Sequence, residues 1–269
     1  MSSQPMNSNE SRNGLRRGLG NVIAVISVAA VALLVWEAVV WWWELPRALL
    51  PTPRACVAAG IEHREALFRA IIATGIAAVA GLLMATVIGS AISLVFSQSE
   101  RLRAAFFPYV VLLQTVPIVA IAPLLIIWSG YTFRTVVIVT VIVCLFPIVN
   151  SVTAGLTRIE RSAGELFDLY RVGRLRRLLK LQIPSAISDL IVGVKTSSGL
   201  AVIGAIVAEF FVGNGTDYDG LGTLMTGWQA MVKTDALIAA LFFSAVLGLS
   251  LFGATHFIGK VFLRRWTIV

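Results

Sequence analysis

Apolar residues in this chain are not spaced at the intervals of a half-buried helix or strand. They run almost unbroken over six stretches, residues 20–43, 66–96, 104–128, 135–152, 190–212 and 236–262, with polar or charged connections between them. Runs of this length predict helices that close their own backbone hydrogen bonds in a bilayer. The first run is longer than a signal-peptide core and is read as a retained helix. Trp36, Trp41, Trp42 and Trp43 gather at its far end, where an aromatic interface belt is expected. In the second run, Ala77, Gly81, Ala85 and Gly89 recur every four residues, a ladder of small side chains that lets another helix come close. Pro108, Pro117 and Pro123 interrupt the third run and Pro147 the fourth, predicting kinks.

The connections differ in character. Residues 1–19 are polar and read as a disordered cytoplasmic tail. Residues 44–65 mix charge with Pro46, Pro51 and Pro53, and residues 20–65 form the first helix with its outer loop. A core of spans follows over 66–262, and 263–269 is a short cytoplasmic tail. The longest charged segment lies between the fourth and fifth runs. From Glu165 to Pro184 it carries Arg171, Arg174, Arg176, Arg177 and Lys180 among leucines. Helical spacing gives it one apolar and one basic face, Gly173 predicts a turn between two short helices, and Pro184 is expected to stop the second. Glu165 can complement a helix N-terminus. Such a segment suits docking on a protein, or resting on anionic lipid.

Composition supports the membrane reading. Hydrophobic residues make up 58% and charged residues only 13%, about half the roughly 25% charged share of an average soluble domain. The net charge of +8 sits in short loops and forms no continuous basic face, which argues against nucleic acid as a partner. Placing the N-terminus inside puts 15 Lys and Arg in cytoplasmic segments and 6 in outer ones, so the positive-inside rule sets both termini and the basic insert in the cytoplasm.

No phosphate-binding GxxxxGK[ST], HExxH, CxxC or GxSxG pattern occurs. Cys56, Cys144, His63 and His256 stand apart, with no metal-ligand spacing. No catalytic residue and no metal site is assigned, and nucleotide energy would have to come through a partner. Lys195 and Glu209 are ionisable residues inside the fifth run, functional candidates by cost alone. Lys195 can snorkel toward the inner boundary. Glu209 can bridge to a neighbouring helix or line a path. Gln114, Thr196, Ser197 and Ser198 offer neutral polar contacts to a solute or serve as packing glue.

The charged insert resembles the cytoplasmic EAA loop of permease subunits from binding-protein-dependent ABC importers. Glu165-Leu166-Phe167 opens it, Pro184 follows nineteen positions later, and Gln182-Ile183-Pro184-Ser185-Ala186 is similar to the family's ending. Leu166 and Phe167 replace two alanines, and Arg171 stands where the family has glycine, with Gly173 nearest. The stretch Thr115–Leu124 with Trp128-Ser129-Gly130, Phe146-Pro147-Ile148, Ala208-Glu209 with Gly220-Leu221-Gly222, and Leu50-Pro51-Thr52-Pro53 resemble the nitrate/sulfonate/taurine-type branch. The likeness covers residues 36–266.

The resemblance implies an all-α integral membrane protein with six transmembrane helices, a type I ABC importer permease fold, in a bacterial inner membrane. Coupling helices would lie between helices 4 and 5. Glu165, Leu169, Tyr170, Gly173, Arg174 and Pro184 would meet the ATPase. Gln114, Pro117, Ser197, Ser198 and Glu209 are candidates for the translocation path. The implied partners are two ABC ATPase subunits that bind the ATP, a second permease copy in a homodimer, a periplasmic or lipid-anchored solute-binding protein, and membrane lipid. The implied cargo is a small solute such as a sulfonate, nitrate, taurine or a pyrimidine. The competing reading is a stand-alone ion-coupled secondary transporter.

Overall fold

A computed structural model describes residues 8–159, 161–213 and 218–266. Every regular element in it is helical: α1 Ser8–Trp42, α2 Pro53–Glu62, α3 Arg64–Gln98, α4 Glu100–Thr115, α5 Ile118–Ser129, α6 Phe133–Thr157, α7 Arg161–Leu169, α8 Arg174–Arg177, α9 Ile183–Val212, α10 Leu221–Ala230 and α11 Thr234–Trp266. A π-helical turn, Leu178–Gln182, joins α8 to α9.

Four stretches are long and apolar enough to cross a membrane: Arg64–Gln98, Phe133–Thr157, Arg174–Val212 and Thr234–Leu263. The pair α4/α5 supplies a fifth if it is counted as one span, but it is bent by 99°. The break falls at Val116 and Pro117. Pro117 has no N–H for the Leu113 carbonyl and lies at the N-cap of α5, whereas Pro108 and Pro123 are held inside their helices. In α1 the described apolar stretch is Ile26–Trp42, shorter than a full span. Thus the expectation of six spans meets four unbroken ones, a bent pair and this shorter helix.

The structure departs from the sequence reading at several boundaries. Residues 8–19, read as a disordered tail, continue α1, since extending an existing helix needs no new nucleus; residues 1–7 lie outside the described part. Helix α11 likewise runs to Trp266. The outer connection contains α2, started by Pro53 and by Thr52, whose Oγ1 accepts the Ala55 N–H at 3.3 Å. Another short helix, α10, lies between α9 and α11; residues 214–217 ahead of it are outside the described part.

Pro184 does not end the second helix of the insert. Helix runs on from Arg174 to Val212. In the π turn, Ile183 N–H reaches back to the Leu178 carbonyl. This wider ring, directly ahead of Pro184, accommodates the missing N–H and the ring's bulk.

The core is a three-helix contact of α3, α6 and α9. Ala77 and Ala85 are fully buried, and Gly81 and Gly89 are buried between them, so the small-residue ladder is the packing face. A Cβ on Gly89 would lie 2.8 Å from Ile148, and one on Gly81 would overlap Thr140. From the other side Gly204 brings α9 against α6 at the Thr140 backbone. Ile148, Cys144, Ala201 and Ala205 fill the centre. Gly81→Ala is therefore expected to destabilise the protein by roughly 1–3 kcal/mol through overpacking. Gly75→Ala, whose Cβ would meet Leu247 at an ordinary 3.6 Å, is expected to be close to neutral. Thermal unfolding of the two variants in detergent checks the ranking.

Candidate functional site

Two polar constructions stand at opposite ends of α9. At the end shared with the α3 terminus, where Gln98 Nε2 donates to Gln182 Oε1 at 3.4 Å, α7 and α8 form a hairpin. Its turn is a Schellman closure of α7. Arg171 N–H donates to the Asp168 carbonyl at 3.0 Å and Val172 N–H to the Phe167 carbonyl at 3.0 Å. Arg171 takes the left-handed position with φ 50°. That conformation costs a residue with a Cβ roughly 1–2 kcal/mol and glycine almost nothing. The departure from the EAA pattern at Arg171 thus leaves the turn in place at some cost. Gly173 is extended (φ −62°) and serves as N-cap of α8.

Across the turn, Arg177 Nη1 donates to Asp168 Oδ1 at 2.6 Å. Glu165 lies in the second turn of α7, exposed, and so complements no helix start. Leu169 is 78% and Tyr170 74% exposed, and Leu166, Leu175 and Leu179 are also uncovered. Arg174 is exposed beside them. This apolar, basic surface sits outside the bundle, and Pro184 is half-buried where the hairpin's second helix enters it.

At the other end, Glu209 is completely buried. Its carboxylate accepts from Thr74 Oγ1 (2.9 Å to Oε1, 3.0 Å to Oε2), Tyr218 OH (2.8 Å) and Gly222 N–H (2.8 Å). Thr74 Oγ1 in turn accepts the Leu221 N–H at 2.8 Å. Burial, and then the charge of Glu209, raise the Tyr218 phenol above its ordinary pKa, which keeps it a donor. The network fastens the start of α10 to α3 and α9 and satisfies two N-terminal amides of α10. Gly220 and Gly222 permit this approach, since a Cβ at either would run into Glu209.

The other candidates are dispersed. Ser197 and Ser198 are fully buried, with hydroxyls donating to the Cys144 carbonyl (3.2 Å) and the Lys195 carbonyl (2.7 Å), so their geometry is that of helix packing. Gln114 and Pro117 are exposed at the α4/α5 bend. Thr196 is exposed on α9. Lys195 is half-buried, about 18 Å along α9 from Ile183, with Nζ 5.0 Å from the Phe252 ring centroid on α11. Sequence reading missed Thr74, Tyr218 and Gly222 as partners of Glu209. Thr74 lies 135 positions away, and only the Gly-Leu-Gly beside Tyr218 hinted at a close approach.

Residues 77–265 match the family described as "Binding-protein-dependent transport system inner membrane component". The chain is 30% identical to a "Probable ABC transporter permease protein" of Haemophilus influenzae, over 84% of this chain and 90% of that protein. It is 32% identical to the "Formylaminopyrimidine transport permease protein ThiX" of Halalkalibacterium halodurans, over 80% of this chain and 85% of that one. It is 25% identical to the "Putative aliphatic sulfonates transport permease protein SsuC" of Bacillus subtilis, over 81% and 79%. A helical bundle with several segments long and apolar enough to cross a membrane defines a class, the polytopic membrane proteins. Within that class, the chain belongs to the inner-membrane permease family of binding-protein-dependent ABC importers. Members of that family are permeases rather than enzymes, and the family implies an ATPase and a binding protein as partners.

Glu209→Ala strands the buried Gly222 amide and the Thr74 hydroxyl and leaves the Tyr218 hydroxyl only the Ala73 carbonyl at 3.2 Å. The expected loss is several kcal/mol, at roughly 1–3 kcal/mol for each stranded group. Glu209→Gln, which keeps one carbonyl acceptor, is expected to lose less. Proteolysis at the α10 loop and thermal unfolding would register this order.

Proposed function

We propose that the chain is the permease subunit of an ATP-driven importer and forms the path of a small solute across a bacterial inner membrane. The observation that carries this reading is the hairpin. Its exposed Leu169, Tyr170 and Leu175 have no covering element among the described residues, and its second helix continues into the span of α9. Apolar side chains outside the bundle mark a protein or membrane contact, and a docked ATPase supplies the first. Arg174 and Gly173 set the turn against that surface. Glu165 borders it, and Pro184 marks where the lever enters the bundle.

Two ATPase subunits, which bind the ATP, grip the hairpins of two permease copies in a homodimer. ATP binding closes the ATPase pair and carries the hairpins with it. The spans then switch access from one side to the other, so that dimer closure biases a two-state membrane element. A periplasmic or lipid-anchored binding protein delivers the solute. The full complement is six spans, with α1 as the first and α4/α5 as the third, and both termini are cytoplasmic. Gln114 and Pro117, exposed at the bend, border the path. The solute class follows the relatives' range and includes sulfonates and pyrimidine-like compounds.

Glu165→Arg and Leu169→Pro are expected to leave membrane insertion normal and to abolish coupled transport. The tagged chain should copurify with an ATPase and lose it in the Leu169→Pro variant. Unchanged uptake in both variants, or no ATPase with the parent chain after gentle solubilisation, contradicts the reading.

A further inference from the structure

The face of α9 turned away from α3 and α6 carries Ser188, Val192, Thr196 and Ile203 exposed, with Lys195 half-buried at its edge. Its half nearer the hairpin holds hydroxyls and an ammonium, and its farther half is apolar. The free face of α11 is apolar over its first half, where Leu241, Phe242, Val246 and Leu249 are exposed, and carries exposed Ser250, His256 and Lys260 further along. Hydrocarbon suits that first half. A charge with hydroxyls five residues inside the 190–212 run marks a face turned to a wet cavity, a polar partner or the inner interface.

Among the described residues Lys195 has no balancing carboxylate. The ion pairs among the described residues join Arg54 to Glu37, Arg103 to Glu100 and Arg177 to Asp168. The nearest acid in sequence on α9, Asp189, is turned to α6, where a Cβ on Gly155 would lie 2.7 Å from its Oδ2. Glu209 is committed to Thr74, Tyr218 and Gly222. The neighbour of the Lys195 ammonium is the face of Phe252, which leaves its three N–H donors without an acceptor side chain.

We propose that Lys195 is the cationic contact of the transport path and that the path favours solutes bearing an anionic group, of the carboxylate, sulfonate or phosphate class. This rests on the chain forming half of a transport path. A passing anion supplies the missing countercharge and accepts the ammonium's hydrogen bonds. The half-buried setting strengthens that attraction relative to water. A neutral solute gains less, and a cationic one is repelled.

The test places a thiol one residue away. Thr196→Cys is made in the full chain, assembled with its ATPase in membrane vesicles. Cys56 and Cys144 are buried, and the unsubstituted chain sets their background. The thiol is reacted with a negatively charged sulfonatoethyl methanethiosulfonate and, separately, with its positively charged trimethylammonioethyl counterpart. The ratio of the anionic to the cationic rate is expected to fall about tenfold when Lys195→Met is added, the order set by one unit charge at this range, and to be retained with Lys195→Arg. Lys195→Gln is the second neutral variant should Lys195→Met fail to insert. An unchanged ratio overturns the proposal. So does the absence of reaction with either reagent, which would put this face against lipid or protein. ATPase recovered with the same preparation shows that the permease reading stands even where the anion proposal falls.

Discussion

Continuity of the helical backbone from Arg174 to Val212 is the constraint on which the rest depends. In hydrocarbon every backbone amide and carbonyl must find an internal partner, and a proline at position 184 threatens that ladder near the point where the chain enters the bundle. The π turn over Leu178–Gln182 resolves the conflict by widening one turn. Helix α9 therefore forms one body with a basic, apolar-faced hairpin at one end and the buried Glu209 network at the other. A displacement of the hairpin would reach α6 and α3 through contacts as close as Gly193 on the Ile148 backbone and Gly81 on Thr140. A close-packed contact of this kind transmits a shift instead of absorbing it.

The opposite end of α9 is fixed differently. There the carboxylate of Glu209 gathers donors from α3, α10 and the connection between α9 and α10. A carboxylate held by three donors is a strut. It is poorly suited to binding and releasing a coupling ion, which a stand-alone secondary transporter would require of the one carboxylate deep in these spans. The polar residues facing outward, Lys195 and Thr196 on α9 and Gln114 at the bend, lie on other surfaces. On the proposed reading, mechanical fastening and solute contact fall to different side chains. Such a division fits a family whose relatives are named for formylaminopyrimidine and for aliphatic sulfonates.

Much of this was legible along the chain, because membrane spans and their packing are written in local pattern. The Ala77–Gly81–Ala85–Gly89 ladder marked the α3 face that packs on α6, and Pro108, Pro117 and Pro123 marked the run that breaks without singling out Pro117. The charged insert marked the hairpin. What escaped was set by tertiary context. Pro184 reads as a stop by propensity, and only the π turn ahead of it allows the helix to pass. Arg171 gives no local sign of its positive φ, which the Schellman hydrogen bonds impose. Of the two roles the sequence left open for Ser197 and Ser198, solute contact or packing glue, helical phase favours packing by turning both into the core. The partners of Glu209 are brought together by the fold alone.

Whether α9 acts as a rigid lever is tested most directly by softening it while leaving both ends intact. Three glycines inserted between Leu179 and Lys180 keep the hairpin surface and the Glu209 network but break the helical connection. The measurement is the stimulation of ATP hydrolysis by the solute-loaded binding protein in the assembled transporter in lipid vesicles. The account gives retained ATPase in the complex with the stimulation abolished; full stimulation across the glycine break would contradict it.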